Sequence, residues 1–292
     1  MNKRDAVLWL LILIFCAVGY TYYIVRRSGS PEGPDTPTGI CPQRIISLSP
    51  ALTEEIYLLS VQDRLVGCTI YCTRPEAARQ KLKVGTVVEV SVEKIISLKP
   101  DLILATSLTD RRAKEHLSQL GMNVIVFPEA KNFDEICQQL LDLGKIVGKE
   151  EKARKIVVQA KKEVNSLAGR VRGTEKPKVF LEIGTKPLFT VTRDSFVNDF
   201  IVLAGGINIA SEARSGLYSR EKVVVQNPDV ILIVSMGVAA DQEKKVWQKF
   251  RNLSAVKNDR IYVLDADKVC SPTPPGFVKT LKEISLLLHP GS

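Results

Sequence analysis

The sequence predicts an α/β protein of two lobes with mostly parallel sheets, joined by one long bridging helix and preceded by an N-terminal transmembrane or signal segment. Three observations carry that expectation. Short apolar strands alternate with amphipathic helices on both sides of residues 150–172, one uninterrupted helical pattern fills that stretch, and one helix-strand passage occurs twice. The expected limits are a signal anchor or signal peptide over 1–27, a linker over 28–40, an N-terminal lobe over 41–148, the bridging helix over 149–173 and a C-terminal lobe over 174–292.

At the N-terminus a short basic stretch, Met1 to Asp5, leads into Ala6 to Val25, almost wholly apolar and closed by Arg26 and Arg27. About 20 apolar residues suffice for a spanning helix, while Ala17, Val18, Gly19 offers a small-x-small cleavage site. Anchorage is preferred over cleavage. Phe15 stands where a small residue would precede a lipidated Cys16. Basic residues on both flanks leave the orientation open. Ser28 to Gly39 is rich in Pro, Gly and Ser, with nothing to bury, and reads as a tether.

From there strands and helices alternate. Arg44 to Ser49 is a strand stopped by Pro50, and Ala51 to Leu59 has helical spacing through Leu52, Ile56 and Leu59. Leu65 to Thr69 is a strand, Tyr71 to Gly85 a loop, Ser91 to Leu98 a short helix and Leu102 to Ala105 a strand. Helix Arg111 to Leu120 ends at Gly121, strand Asn123 to Phe127 at Pro128, and helix Phe133 to Val147 at Gly148.

In the central stretch Ala153, Ile156, Val157, Ala160, Val164, Leu167, Ala168 and Val171 form one apolar stripe. Glu150 and Glu151 precede Arg154 and Lys155 by four residues, acid first, which also suits the helix dipole. Such a helix runs roughly 35 Å at about 1.5 Å per residue, the breadth of a small domain. The alternation then resumes with strand Lys178 to Ile183, helix Ser195 to Leu203, helix Ser219 to Val225, strand Val230 to Val234, helix Gln242 to Leu253, strand Arg260 to Leu264 and helix Gly276 to Leu288.

The repeat aligns Ser91 to Leu104 with Ser219 to Leu232 without a gap. In each copy a serine is placed to cap a helix, with a glutamate two residues in: Glu93 and Glu221. Each glutamate alone is accounted for by its helix dipole. A matched pair, one per lobe, also suits docking on a two-fold symmetric partner with positive charge.

Composition narrows the function. The net charge is +9 over 292 residues, yet basic residues are dispersed among acids and no basic run is interleaved with aromatics, which argues against nucleic acid. Two histidines, and no zinc-ligand spacing apart from Cys68 and Cys72, argue against a protein-built metal site. Cys41, Cys68, Cys72, Cys137 and Cys270 are odd in number and read as small hydrophobes. No GxGxxG or Walker loop follows a strand. An enzyme with its active site between the lobes is the alternative from another class, but no nucleophile-base pair or paired carboxylates stand out.

Six stretches in order, RIISLSPALTEEIYLL (Arg44 to Leu59), VGCTIYCTRPEA (Val66 to Ala77), VEKIISLKPDLILA (Val92 to Ala105), KPKVFLEIG (Lys176 to Gly184), LAGGIN (Leu203 to Asn208) and YSREKVVVQNPDVILI (Tyr218 to Ile233), surround that helix. With them the chain resembles the extracytoplasmic solute-binding proteins of the helical-backbone metal receptor family, which serve ABC importers for cobalamin, ferric siderophores and haem; the cobalamin-binding branch is the nearest. The resemblance implies Rossmann-like lobes, a ligand cleft between them, and an extracytoplasmic monomer held at the membrane by its N-terminal segment. It implies no built-in cofactor: the corrinoid or iron chelate is cargo. Its partners would be the membrane subunits of an ABC permease, with Glu93 and Glu221 matching the glutamates that pair with permease arginines.

The resemblance also places Tyr71 on the corrin face, with Phe189 and Tyr218 on matching loops near ligand. Aromatic platforms with a few polar groups on opposing walls suit a large, flat, partly apolar ligand. Cys72 is a candidate axial ligand to cobalt or iron, and Arg74 a candidate partner for an anionic siderophore or a haem propionate. Two departures bear on ligand identity. Val87 stands where cobalamin-binding relatives have a tryptophan, and Ser271, Pro272, Thr273, Pro274, Pro275 replaces an Arg-Pro-Gly-Pro-Arg loop.

Overall fold

Strand β1 (Ile45–Ser47) is wholly buried and leads into α1 (Pro50–Leu58), where Pro50 takes a position whose N–H needs no partner. A computed structural model describes residues 41–235 and 238–291, so the expected anchor and tether at residues 1–40 lie outside it. Next come β2 (Leu65–Cys68), β3 (Leu82–Lys83), α2 (Val92–Ser97), β4 (Leu102–Thr106), α3 (Arg111–Gln119), β5 (Val124–Phe127) and α4 (Phe133–Ile146). The five strands pair in parallel in the order β3-β2-β1-β4-β5. From β1 the chain steps to β2 and β3 on one side and then crosses back to β4 and β5 on the other, which creates a crevice outside the carboxyl ends of β1 and β4.

The second sheet follows α5 (Glu150–Arg170) and is built from β6 (Lys178–Thr185), β7 (Leu188–Thr190), β8 (Ile207–Asn208), β9 (Val230–Ser235) and β10 (Ile261–Asp265). Its order is β10-β9-β6-β7 with β8 also on β6, and only β7 runs antiparallel. Around it lie α6 (Phe196–Leu203), α7 (Arg220–Gln226), α8 (Val238–Trp247), α9 (Ser254–Lys257), α10 (Ala266–Cys270) and α11 (Pro274–Leu288). Among the described residues no helix is long and apolar enough to cross a membrane.

The bridging helix is one piece. α5 runs for 21 residues, about 32 Å at 1.5 Å per residue, and buries Ala153, Val157, Ala160 and Val164, members of the expected stripe. It packs chiefly against α4 and α11. A Cβ on Gly144 would come within 2.5 Å of the Ala153 methyl, so glycine is what lets α4 and α5 approach.

The two sheets do not have wholly separate cores. The largest apolar cluster runs from Ile45, Leu52 and Ile56 through α4 and α5 to Val179, Leu181 and Phe277. Phe277 on α11 stacks on Phe200 with ring centroids 4.1 Å apart and meets Phe133 at 4.6 Å, so the last helix ties both halves together. The last helix, expected from Gly276, starts two residues earlier: Pro274 and Pro275 lie in its first turn and the Thr273 hydroxyl accepts from Gly276 N–H at 3.3 Å.

The repeat is structural as well as textual. α2 leads into β4 as α7 leads into β9; Ser91 accepts from Lys94 N–H and Ser219 from Lys222 N–H, each at 3.3 Å. Lys99 and Asn227, at matching positions, both adopt left-handed backbone, with φ of 45° and 48°. Asp101 then accepts from the Gln43 and Arg44 N–H groups before β1, and Asp229 accepts from Lys178 N–H at the start of β6.

Candidate functional site

Between the two sheets lies a cleft of about 530 Å³, within the usual range of roughly 300–1,000 Å³ for small-molecule sites. It opens at the carboxyl ends of the parallel strands, where a doubly wound topology leaves its crevice. Ser49, Pro50 and Ala51 follow β1, Thr106 ends β4 with Ser107 and Leu108 after it, and Pro128 to Ala130 follow β5. The facing wall has Ile183 to Thr185 from β6, Val234 from β9, Phe196 from α6, and Ala266, Asp267 and Cys270 from α10.

Of the ligand residues expected from the sequence, Tyr71 lines this cleft, 46% exposed, in the loop after β2. Cys72, one residue on, does not. It is fully buried, with its sulfur 3.1 Å from Thr53 Oγ1 and 3.2 Å from Thr69 Oγ1. The neighbouring Cys68 thiol, ahead of the opposing effect of burial, holds the Cys72 thiol below its usual range. Its sulfur is engaged inside the first half and away from the cleft lining. All five described cysteines are free, with Cys68, Cys72 and Cys137 buried and Cys41 and Cys270 exposed.

Arg74 is also committed elsewhere. Its Nε lies 3.0 Å from Glu54, and its Nη2 donates to the Ser271 carbonyl at 2.8 Å, on the far side of the chain. Thr273 Oγ1 donates to the same Glu54 at 3.4 Å. Arg74 therefore clasps the two halves beside the cleft, and its charge is already balanced by Glu54. Phe189, 41% exposed on β7, and Tyr218, 5.8 Å ring to ring from Phe180, lie outside the cleft lining; burial raises the Tyr218 hydroxyl pKa.

Both departures from the expected pattern fall in the cleft wall, at Val87 and at Ser271 and Pro272. The charged groups of the lining are Glu129 and Asp267, one from each half; among the described lining residues there is no lysine, arginine or histidine. Among the described residues no group of three or more His, Cys, Asp or Glu is placed to hold a metal ion.

Glu93 and Glu221 stand in the first turns of α2 and α7, both exposed. In each, the residue's own backbone N–H and then the capping serine hydroxyl hold the carboxyl below its usual range, so both are ionised at neutral pH. Crossover helices that precede parallel strands begin at the carboxyl edge of the sheet.

The family model described as periplasmic binding protein matches residues 45–268. The chain belongs to the periplasmic binding protein family. This binding protein is 30% identical over 259 residues to an uncharacterized ABC transporter substrate-binding lipoprotein of Bacillus subtilis (strain 168), covering 85% of this chain and 81% of that one. It is 32% identical over 208 residues to a vitamin B12-binding protein of Yersinia pseudotuberculosis serotype O:3 (strain YPIII), covering 70% and 74%.

Among solved structures, the periplasmic vitamin B12 binding protein of Vibrio cholerae superposes with a TM-score of 0.73 at 28% identity, covering 85% of this chain and 96% of that chain. A periplasmic haem-binding protein of Roseiflexus sp. RS-1 superposes at 0.77 with 23% identity, covering 85% and 98%, a likeness of fold alone. The binding protein therefore shares its α/β scaffold with receptors of different named cargo, and only the cleft chemistry distinguishes among them.

Proposed function

We propose that this protein is the extracytoplasmic substrate-binding receptor of an ABC importer, and that it captures cobalamin or a related corrinoid between its two halves for delivery to the permease. The observation that carries the ligand class is the charge of the cleft. Tyr71, Val87, Leu108, Ile136, Ile183 and Phe196 supply an apolar and aromatic surface, while Glu129 and Asp267 supply negative charge with no cation among the described lining residues. A corrinoid carries primary amides around its ring, which donate hydrogen bonds to such groups. Haem propionates, and the ferric siderophores that are anionic, bring negative charge that these two carboxylates repel. The relatives named for vitamin B12 support the same choice.

Haem is the second reading, because the Tyr71 hydroxyl is an oxygen ligand of the kind ferric haem accepts. The missing cation weighs against it. The docking reading assigns Glu93 and Glu221 to arginines on the two permease subunits, and the apolar segment before residue 27 to holding the receptor at the membrane. Delivery needs no covalent chemistry.

Mixing the purified protein separately with cyanocobalamin, haemin and a ferric siderophore, then separating it by gel filtration, tests the ligand class. Corrinoid absorbance is expected to co-elute with the protein. Co-elution of haemin or siderophore without corrinoid would overturn the assignment.

A further inference from the structure

Under the cleft, α1 and α4 set two polar side chains where their neighbours are apolar. Glu55 follows Ala51 by one turn of α1, and Gln139 follows Ile136 by one turn of α4, so each shares a helix face with a cleft-lining residue. Glu55 is fully buried, whereas Gln139 is partly exposed and itself lines the cleft. Gln139 Nε2 donates to Glu55 Oε1 at 3.0 Å.

Burial pushes Glu55 up to about 8, with nearby Glu54 adding to the shift against the Gln139 hydrogen bond, so at neutral pH it is a carboxylic acid. Its other oxygen, Oε2, is buried without a partner. An ionisable group held this way in an apolar layer is costly, and a hydrocarbon side chain would serve packing better. Its one engaged atom, Oε1, accepts from the Gln139 amide.

With one amide N–H held by Glu55, the Gln139 carbonyl oxygen is left for the cleft beside the second N–H, and no described residue hydrogen-bonds that oxygen. We infer that Gln139 is a specificity-determining residue, oriented by Glu55 so that its carbonyl accepts a hydrogen bond from an N–H of the bound macrocycle. Glu129 and Asp267 are acceptors as well, so with the Gln139 carbonyl these side chains offer the ligand three acceptor groups. The cleft thereby selects a ring edged with primary amides over one edged with carboxylates, a discrimination that rests on the corrinoid reading above. Glu55 is a positioning residue: it acts through Gln139.

The test compares cyanocobalamin with a corrinoid whose peripheral amides have been hydrolysed to carboxylic acids, titrated calorimetrically into the full chain. The wild type is expected to prefer the amide form. Gln139→Leu, which keeps the volume and removes the acceptor, is expected to weaken cyanocobalamin binding about tenfold and narrow the preference. Glu55→Gln, a neutral isostere, places an amide N–H against Gln139 and frees it to present its own N–H to the cleft, so the preference falls while circular dichroism stays unchanged.

A purely structural role would lower both affinities together and leave their ratio intact. Tight wild-type cyanocobalamin binding with an unchanged ratio in both variants would overturn the inference and leave the corrinoid reading standing. Failure of the wild type to bind either corrinoid would overturn both.

Discussion

Cells in which Glu93→Arg and Glu221→Arg replace the native residues are expected to lose uptake of labelled cyanocobalamin by about 100-fold or more, while the purified double variant binds it within about twofold of wild type. The two carboxylates are presented alike. Each follows a capping serine, lies in the first turn of its helix and is ionised by the backbone N–H at that helix start. Behind each, an aspartate and a left-handed residue at matching places lock the turn that carries the helix into its strand. Reversing both charges turns attraction for a basic partner into repulsion at two points, and neither residue lines the cleft. If the glutamates only complement their helix dipoles, uptake will be unchanged and the melting temperature slightly lower.

Tyr71→Ala is expected to weaken corrinoid binding by about 10- to 100-fold in calorimetric titration, the worth of one aromatic platform against a flat ring. Its ring is 46% exposed on the cleft wall and free to be covered by ligand. Phe189→Ala and Tyr218→Ala serve as contrasts and are expected to change affinity by less than about twofold, because neither side chain lines the cleft. An affinity within twofold of wild type for Tyr71→Ala would remove that residue from the binding surface.

Much of the scaffold was legible in the sequence because its signals are local. The stripe through Ala153, Val157, Ala160 and Val164 needed only a period, and α5 follows it without a break. Ser91 and Ser219 announce helix starts by residue type, and both hydroxyls do cap. The start of α11 lies two residues before the expected Gly276, because a proline pair reads as a breaker although it suits a first turn.

The cleft is a different kind of object. Val87, Leu108, Phe196 and Pro272 meet there from four separate places in the chain, and no spacing links them. Within one stretch, Tyr71, Cys72 and Arg74 point to three destinations: the cleft, the interior of the first half, and Glu54 with Ser271. A loop has no periodicity from which to read that division. Glu54 and Glu55 are adjacent acids with equal claims to the surface, yet one pairs with Arg74 and the other is fully buried beside Gln139. Only packing of α1 against α4 separates them.

Anomalous scattering from cobalt, collected at its absorption edge on crystals grown with cyanocobalamin, locates the ligand without reference to any variant. One strong peak is expected in the space between Tyr71 and the wall formed by Ile183, Phe196 and Ala266. A cleft without cobalt in crystals that contain the vitamin, or a peak on the outer surface alone, would contradict the proposal that the two halves enclose a corrinoid.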